Sequence, residues 1–367
     1  MKIIVTGTRG IPGIEGGVET HCEELYPLVQ DERHEVVVVR RSAYVSPSRT
    51  DCYKEVKVKD IAVFRSKHLE AFVHTFLSVI YARLVNADVV HIHAIGPALL
   101  APLARLLGIK VVVTHHGADY EREKWGNGAK HVLRWGETCA LRWSNRLIVI
   151  SETIQKQVAH RLKNKSKLVL IPNGVTSLQD NGDRSYLSRQ GLDGKRYLLA
   201  VGRLVSEKKF ATLIDAFKML NEPDLHLVIA GSPAGNRVYE AQLEMLIDGD
   251  ERIHMLGFVE KKELVQLYKE TTLFVIPSAH EGLPIVLLEA LSCGCKVLAS
   301  DIPAHLEVNL PAECYFTCSN SDALKEAIER QLQTESNEKL HYDLSKYDWK
   351  HIAESTRKVY DSLFLRQ

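Results

Sequence analysis

No apolar run in this 367-residue chain approaches the roughly 20 residues that cross a bilayer, which argues against a membrane-spanning helix. The seven cysteines are odd in number and scattered, so they supply no disulfide framework. Cys293 and Cys295 stand as C-x-C, and no second pair completes a zinc-site spacing. No repeat of 20–50 residues and no low-complexity tract occurs, which excludes solenoids and biased tails. Charge of one sign is also scarce. Lys and Arg number 47 against 46 Asp and Glu, a balance of +1 that on its face excludes nucleic acid and charged surfaces as partners. The opening MKIIVTG reads as a buried strand rather than a leader segment, so a cytoplasmic, reduced location is expected.

What is present is an ordinary globular composition, 45% apolar and 25% charged, at a length that suggests two domains. Short β-branched runs at 2–6, 35–39, 61–64, 88–93, 110–114, 146–150 and 168–171 alternate with helical patterns near 17–29, 69–85, 97–107, 129–143 and 152–162. Continuous apolar strands between helices imply a parallel sheet covered on both faces. The turn signal Ile171-Pro172-Asn173-Gly174-Val175 interrupts the pattern, and the polar stretch 177–196 reads as a linker. Strands then resume at 197–201, 225–230, 253–256, 273–276 and 296–299, with helices near 209–220, 238–247, 262–268 and 284–292. The expected fold class is α/β, with two doubly wound Rossmann-like domains at 1–174 and 175–345, their sheet mouths facing a central cleft. A last helix within 346–367, with Ile352, Val359 and Leu363 at helical spacing, is expected to pack back on the first domain.

Two regions carry chemistry. After the first strand, Thr6-Gly7-Thr8-Arg9-Gly10-Ile11-Pro12-Gly13 and then Gly16-Gly17 open a helix, where backbone N–H groups can approach a phosphate. The second strand ends in Arg40-Arg41, with no acidic residue to hold an NAD ribose, so a dinucleotide cofactor is disfavoured. In the second domain Gly202-Arg203-Leu204-Val205-Ser206-Glu207-Lys208 follows a strand and brings two cations to its carboxyl end. Glu281-Gly282-Leu283-Pro284-Ile285 leads from a later strand into a helix that carries Glu289. Eight residues at 3.6 per turn would set Glu281 and Glu289 on one side. On that reading they cannot flank a bond as a glycosidase pair does. Left alone among Leu287, Leu288 and Leu291, Glu289 needs a partner, and a ligand hydroxyl would serve.

With these residues in place the sequence resembles the retaining glycosyltransferases of the GT-B fold, family 4, over nearly its whole length. A closer similarity runs through Gly7–Pro12, Glu15–Thr20 and residues 117–126 to a bacterial subgroup often labelled rhamnosyltransferase-like, which builds surface polysaccharide (O-antigen, capsule or exopolysaccharide). The resemblance implies a nucleotide-sugar donor as substrate and needs no cofactor and no metal. It implies that Arg203 and Lys208 bind the donor diphosphate and stabilise the leaving group. Glu289 would accept from the nucleotide ribose, and Glu281 would face the donor sugar. The backbone of Gly282, Leu283, Pro284 and Ile285 would contact sugar and phosphate, with Gly16 and Gly17 closing over the phosphates. Gly231, Ser232, Gly257, Phe258 and Val259 would line the base. His116, immediately before Gly117, would touch the donor sugar near the reacting carbon.

His91 and His93 share one side of a strand, but the sequence offers no third metal ligand, so packing or an acceptor pocket is the expectation. Up to Val175 the chain holds 25 basic and 17 acidic residues, and beyond it 22 and 29. The resemblance makes the first domain the acceptor side. Its basicity suits a glycan or polyprenyl-diphosphate-linked acceptor and peripheral contact with the inner face of the cell membrane. The stretch from Arg65 through Phe72, Val73, Phe76 and Leu77 is either a buried helix with a basic cap or a membrane-facing one. Two alternatives to transfer are a GT-B-fold sugar-nucleotide 2-epimerase and a non-catalytic partner subunit that binds nucleotide sugar. No nucleic-acid partner is expected.

Overall fold

The computed structural model describes residues 1–45, 51–64, 66, 69–121, 125–176, 180–233, 237–334 and 341–365. The chain divides into two compact units, Met1–Gly174 with Ser345–Gln367, and Val175–Leu344.

The first unit holds β1 (Lys2–Thr6), β2 (Glu35–Arg41), β3 (Cys52–Tyr53), β4 (Val56–Ile61), β5 (Val89–His93), β6 (Lys110–His115), β7 (Arg146–Val149) and β8 (Leu168–Leu170). They form one sheet in the order β3-β4-β2-β1-β5-β6-β7-β8. All its pairings are parallel except β3 with β4. The β-branched runs of β1, β2, β5 and β6 are buried on both faces, as a helix-covered parallel sheet requires.

The strand expected at 61–64 lies instead at Val56–Ile61. There Val56 and Val58 point inward while Lys57 and Lys59 face solvent, so it alternates where a continuous apolar run was sought. Phe64 is exposed beyond its end.

The terminal helix Trp349–Asp361 belongs to this unit. Trp349, Ile352, Ala353, Val359 and Tyr360 are buried with Ile3, Val5, Leu25 and Val36 in one core. Asp348 caps it by accepting from the Lys350 and His351 N–H groups.

The second unit holds β9 (Arg196–Val201), β10 (Leu225–Ala230), β11 (Ile253–Gly257), β12 (Leu273–Ile276), β13 (Val297–Ser300) and β14 (Tyr315–Phe316), ordered β11-β10-β9-β12-β13-β14 and wholly parallel. The stretch read as a polar linker contains the helix Ser185–Arg189, and Tyr186, Leu187 and Leu192 are buried in this unit's core. Its apolar residues are too few for a periodic signal, yet they suffice to anchor one turn. Residues 177–179 lie outside the described residues.

The strand order positions the chemistry. It reverses at β1 in the first sheet and between β9 and β12 in the second, and loops leaving the carboxyl ends there border a crevice.

Candidate functional site

The loops after β9 and β12 leave neighbouring parallel strands, which brings together residues more than 70 positions apart. Lys208 Nζ donates to the Glu281 carboxylate, and both side chains are largely buried. The Ala279 N–H donates to the Glu207 carbonyl at 2.8 Å and fastens one loop to the other. Burial pushes the Glu281 carboxyl up, but the Lys208 ammonium outweighs it and holds it below the usual carboxylate range. His305 sits fully buried in the helix Pro303–Leu306. Burial lowers its pKa to about 4, which leaves it neutral at pH 7. Its Nδ1 lies 3.0 Å from Ser300 Oγ, whereas Nε2 has no hydrogen-bond partner among the described residues.

Arg203 and Ser232 are held by backbone. A Cβ on Gly231 would stand 1.8 Å from the Gly202 carbonyl oxygen, so only glycine lets these two loops touch. Leu204 N–H donates to Ser232 O at 2.8 Å, and Gly231 N–H to Gly257 O at 2.7 Å. The loops carrying Arg203, Ser232 and Phe258 therefore form one hydrogen-bonded rim. Phe258 is exposed on it, while Val259 turns into the core.

Glu289 is 7% exposed on the helix Ile285–Ser292, and the Tyr268 hydroxyl donates to it at 3.3 Å. That tyrosine is the partner the buried carboxylate required, and its position 21 residues upstream gave no signal in the sequence. The helix begins at Ile285, so Glu281 lies in the loop before it. Helical phase does not relate the two glutamates, so it neither sets them on one side nor excludes a glycosidase pair. Leu283, Pro284 and Ile285 are buried, so their backbone rather than their side chains is what this turn can offer a ligand. A D-x-D spacing, a pattern that can hold a metal, occurs at Asp248-Gly249-Asp250. It precedes the amino end of β11, opposite the edge carrying Gly257, and Asp250 is engaged by Arg252 at 2.7 Å.

In the first unit Gly16 precedes the helix Gly17–Val29 with φ +141°, and a Cβ there would stand 2.2 Å from Glu19 Oε2. The buried Glu19 carboxylate accepts from Arg9 N–H at 3.0 Å, from Arg9 Nε at 3.2 Å and from Thr8 Oγ1 at 3.3 Å. Burial raises the Glu19 carboxyl, and Arg9 more than reverses that. Arg9 and Glu19 brace the glycine loop, a role the sequence did not reveal because both could equally have faced solvent. Gly17 has open space where a side chain would be.

His115 is buried, with Nε2 3.0 Å from Glu137, and Nδ1 accepts from Gly117 N–H. His116 is half-buried and points elsewhere, its Nε2 2.8 Å from His93 Nδ1. His21, His93 and His116 bring one ring nitrogen each within 4.8 Å of one another. The fold thus joins His93, but not His91, to one histidine from the first helix and one from the loop after β6. His93 and His116 already share a hydrogen bond, however, and His21 Nδ1 lies 3.0 Å from Asn173 Oδ1. A bound zinc needs each nitrogen's lone pair at about 2.0–2.1 Å, so the arrangement fits a hydrogen-bonded cluster better than a metal centre.

Two family models match the chain: "Glycosyltransferase Family 4" over residues 15–177 and "Glycosyl transferases group 1" over residues 186–350. The chain is a GT-B glycosyltransferase of the group 1 and family 4 type. It is 26% identical to an alpha-maltose-1-phosphate synthase of Mycolicibacterium smegmatis, over 75% of this chain and 79% of that protein. It is 24% identical to the gpi3 subunit of the phosphatidylinositol N-acetylglucosaminyltransferase of Schizosaccharomyces pombe, over 95% and 78%. Among solved structures, a sucrose-phosphate synthase from Thermosynechococcus elongatus superposes with a TM-score of 0.83 at 19% identity, over 99% of both chains. Anabaena HepE in complex with UDP and glucose gives 0.80 at 18% identity, over 99% of this glycosyltransferase and 100% of HepE.

Proposed function

We propose that this glycosyltransferase is a retaining enzyme that moves a hexosyl or deoxyhexosyl group from a nucleotide sugar to a glycan or polyprenyl-diphosphate-linked acceptor in bacterial surface polysaccharide synthesis. The observation that carries this reading is the convergence of the Arg203, Lys208 and Glu281 loops at the switch point of the second sheet, with Glu289 on the following helix. The same chemistry fits the UDP and glucose bound by HepE. The close similarity of the glycine loop and residues 117–126 favours the rhamnosyltransferase-like subgroup; 122–124 lie outside the described residues.

Arg203 and Lys208 neutralise the donor diphosphate and the charge that grows on it as the bond to the anomeric carbon breaks, a role that replaces a metal ion. Lys208 then shares its charge between Glu281 and phosphate, and Glu281 faces the sugar. Glu289, already accepting from Tyr268, has lone pairs to accept from the ribose hydroxyls. His116 meets the sugar near the anomeric carbon. The acceptor oxygen attacks on the face the phosphate leaves, the phosphate oxygen takes the acceptor proton, and nucleoside diphosphate departs with configuration retained.

Peripheral membrane contact is part of the same reading. No helix of the described residues is long and apolar enough to cross a membrane. The helix Glu70–Leu84, however, leaves Phe72, Phe76 and Leu77 exposed, with Leu69 just ahead of it. Residues 65, 67 and 68 of the basic approach lie outside the described residues.

A screen of UDP-, GDP- and dTDP-sugars for thermal stabilisation tests the donor reading. One donor class should raise the melting point in EDTA-containing buffer, since ligand at 100 times Kd contributes about 2.7 kcal/mol. Transfer from that donor should give the retained anomer by NMR. It should be lost in Lys208→Ala and Glu289→Ala. An inverted product, or undiminished transfer by both variants, defeats the proposal.

A further inference from the structure

A continuous series of buried polar side chains runs through the apolar core of the first unit and ends at His116. His91 Nε2 lies 2.7 Å from Thr114 Oγ1, and His91 Nδ1 lies 2.6 Å from the Tyr360 hydroxyl and 3.0 Å from that of Tyr26. The Tyr26 hydroxyl in turn bonds His93 Nε2, and His93 Nδ1 lies 2.8 Å from His116 Nε2. His91 and His93 stack at 4.5 Å, and His93 and His116 at 5.1 Å. The edge of His21 packs on His116 at 5.0 Å. Thr114, His91, Tyr26, Tyr360 and His93 are all buried, drawn from β5, β6, the first helix and the terminal helix.

Packing alone does not explain these residue types. Apolar side chains of the same size would fill the space without the penalty of burying polar groups, and such a network is tolerable only when fully paired. Here each ring nitrogen of His91 and His93 has a partner. Burial first, then the neighbouring histidines, depress His93 and His116 well below the ordinary histidine value, so the rings are neutral at pH 7. A neutral imidazole has one N–H and one lone pair. At the bond between His93 and His116 two orders are possible, His93 Nδ1 donating to His116 Nε2 when Tyr26 donates to His93 Nε2, or accepting from it. In the first, His116 accepts at Nε2 and carries its proton on Nδ1. In the second the two nitrogens exchange roles. Either way Nε2 is committed to His93, which leaves Nδ1 to meet a ligand.

We propose that His93 and Tyr26 are positioning residues of the transfer reaction, fixing the tautomer and ring orientation of His116 so that Nδ1 meets the donor sugar. This rests on the reading that His116 touches that sugar. The terminal helix adds the Tyr360 hydroxyl at His91 Nδ1, the nitrogen that Tyr26 also meets.

The test uses the full chain, the donor found by the screen, and four variants whose folding is checked by melting curves. Tyr26→Phe removes one hydroxyl and keeps the ring. It should lower kcat about tenfold while leaving the donor KM within twofold. His93→Leu should do at least as much. His93→Asn, whose amide can occupy the place of Nδ1, should recover most of the loss. Long-range 1H–15N spectra of 15N-histidine protein should show His116 as one neutral tautomer in the wild type and as a mixture in Tyr26→Phe. Wild-type kcat in folded Tyr26→Phe, or an unchanged His116 signal, overturns the proposal. Full transfer by His116→Ala defeats the underlying role of His116. Loss in His116→Ala with no effect of Tyr26→Phe defeats the positioning role alone.

Discussion

Gly231 shows how little room single atoms leave on the donor side. Its missing methyl group is what lets the Gly202-Arg203 loop lie against the Gly231-Ser232 loop. Gly231→Ala should destabilise the second unit by about 1–3 kcal/mol, the usual penalty of overpacking, and abolish donor-induced stabilisation because the Arg203 loop must move. A melting point and a donor response equal to wild type would show that the contact yields without consequence. Arg203, Lys208, Glu281 and Glu289, proposed above to face the donor, stand out in the sequence because they lie in or just after glycine turns at strand ends. Their own partners do not. Tyr268 and His305 reach Glu289 and Glu281 across the fold, and no local pattern marks a residue whose role is to face another buried group.

Elements with one strong period were read almost to the residue, as with the first helix at Gly17–Val29 and β10 at Leu225–Ala230. The β3–β4 hairpin escaped because β4 alternates and β3 is two residues long. The helix Glu70–Leu84, for which the sequence left two outcomes open, has one buried and one exposed face. Leu69 at 54%, Phe72 at 43% and Phe76 at 40% line up at spacings of three and four residues on one face, while His74, Ser78 and Val79 turn inward. Phe72→Ser combined with Phe76→Ser should therefore cut binding to vesicles containing anionic lipid at least tenfold in a sedimentation assay, with the melting point kept. Each buried Phe side chain is worth about 1.5–3 kcal/mol, so two suffice for that loss. Equal sedimentation of variant and wild type would remove this helix from any membrane contact.

For the molecule as a whole, buried histidines set the response to acid. Burial lowers His21, His74 and His305 to about 4 and His91 to about 3, against 6.5 for an ordinary histidine. Each binds its proton more readily once unfolded. Its contribution to stability is therefore full above pH 6.5 and is lost as pH falls from 6.5 toward 4. The melting temperature, followed from pH 8 to pH 4.5, should hold level to about 6.5 and then fall steadily. A flat profile to pH 5 would mean these rings are not buried neutral. The near-zero net charge that seemed to exclude charged partners is the sum of a basic and an acidic half, a fact the sequence held by itself. The sequence also determined the two α/β units and the charged loops proposed to hold the donor, because strand periodicity and glycine turns are local and act within a few residues. Only the tertiary structure decided which loops meet, that the last helix completes the first core, and that histidines from three elements join in one series. Those contacts depend on strand order and burial, which bring together residues whose separation in the chain carries no information about their distance in space.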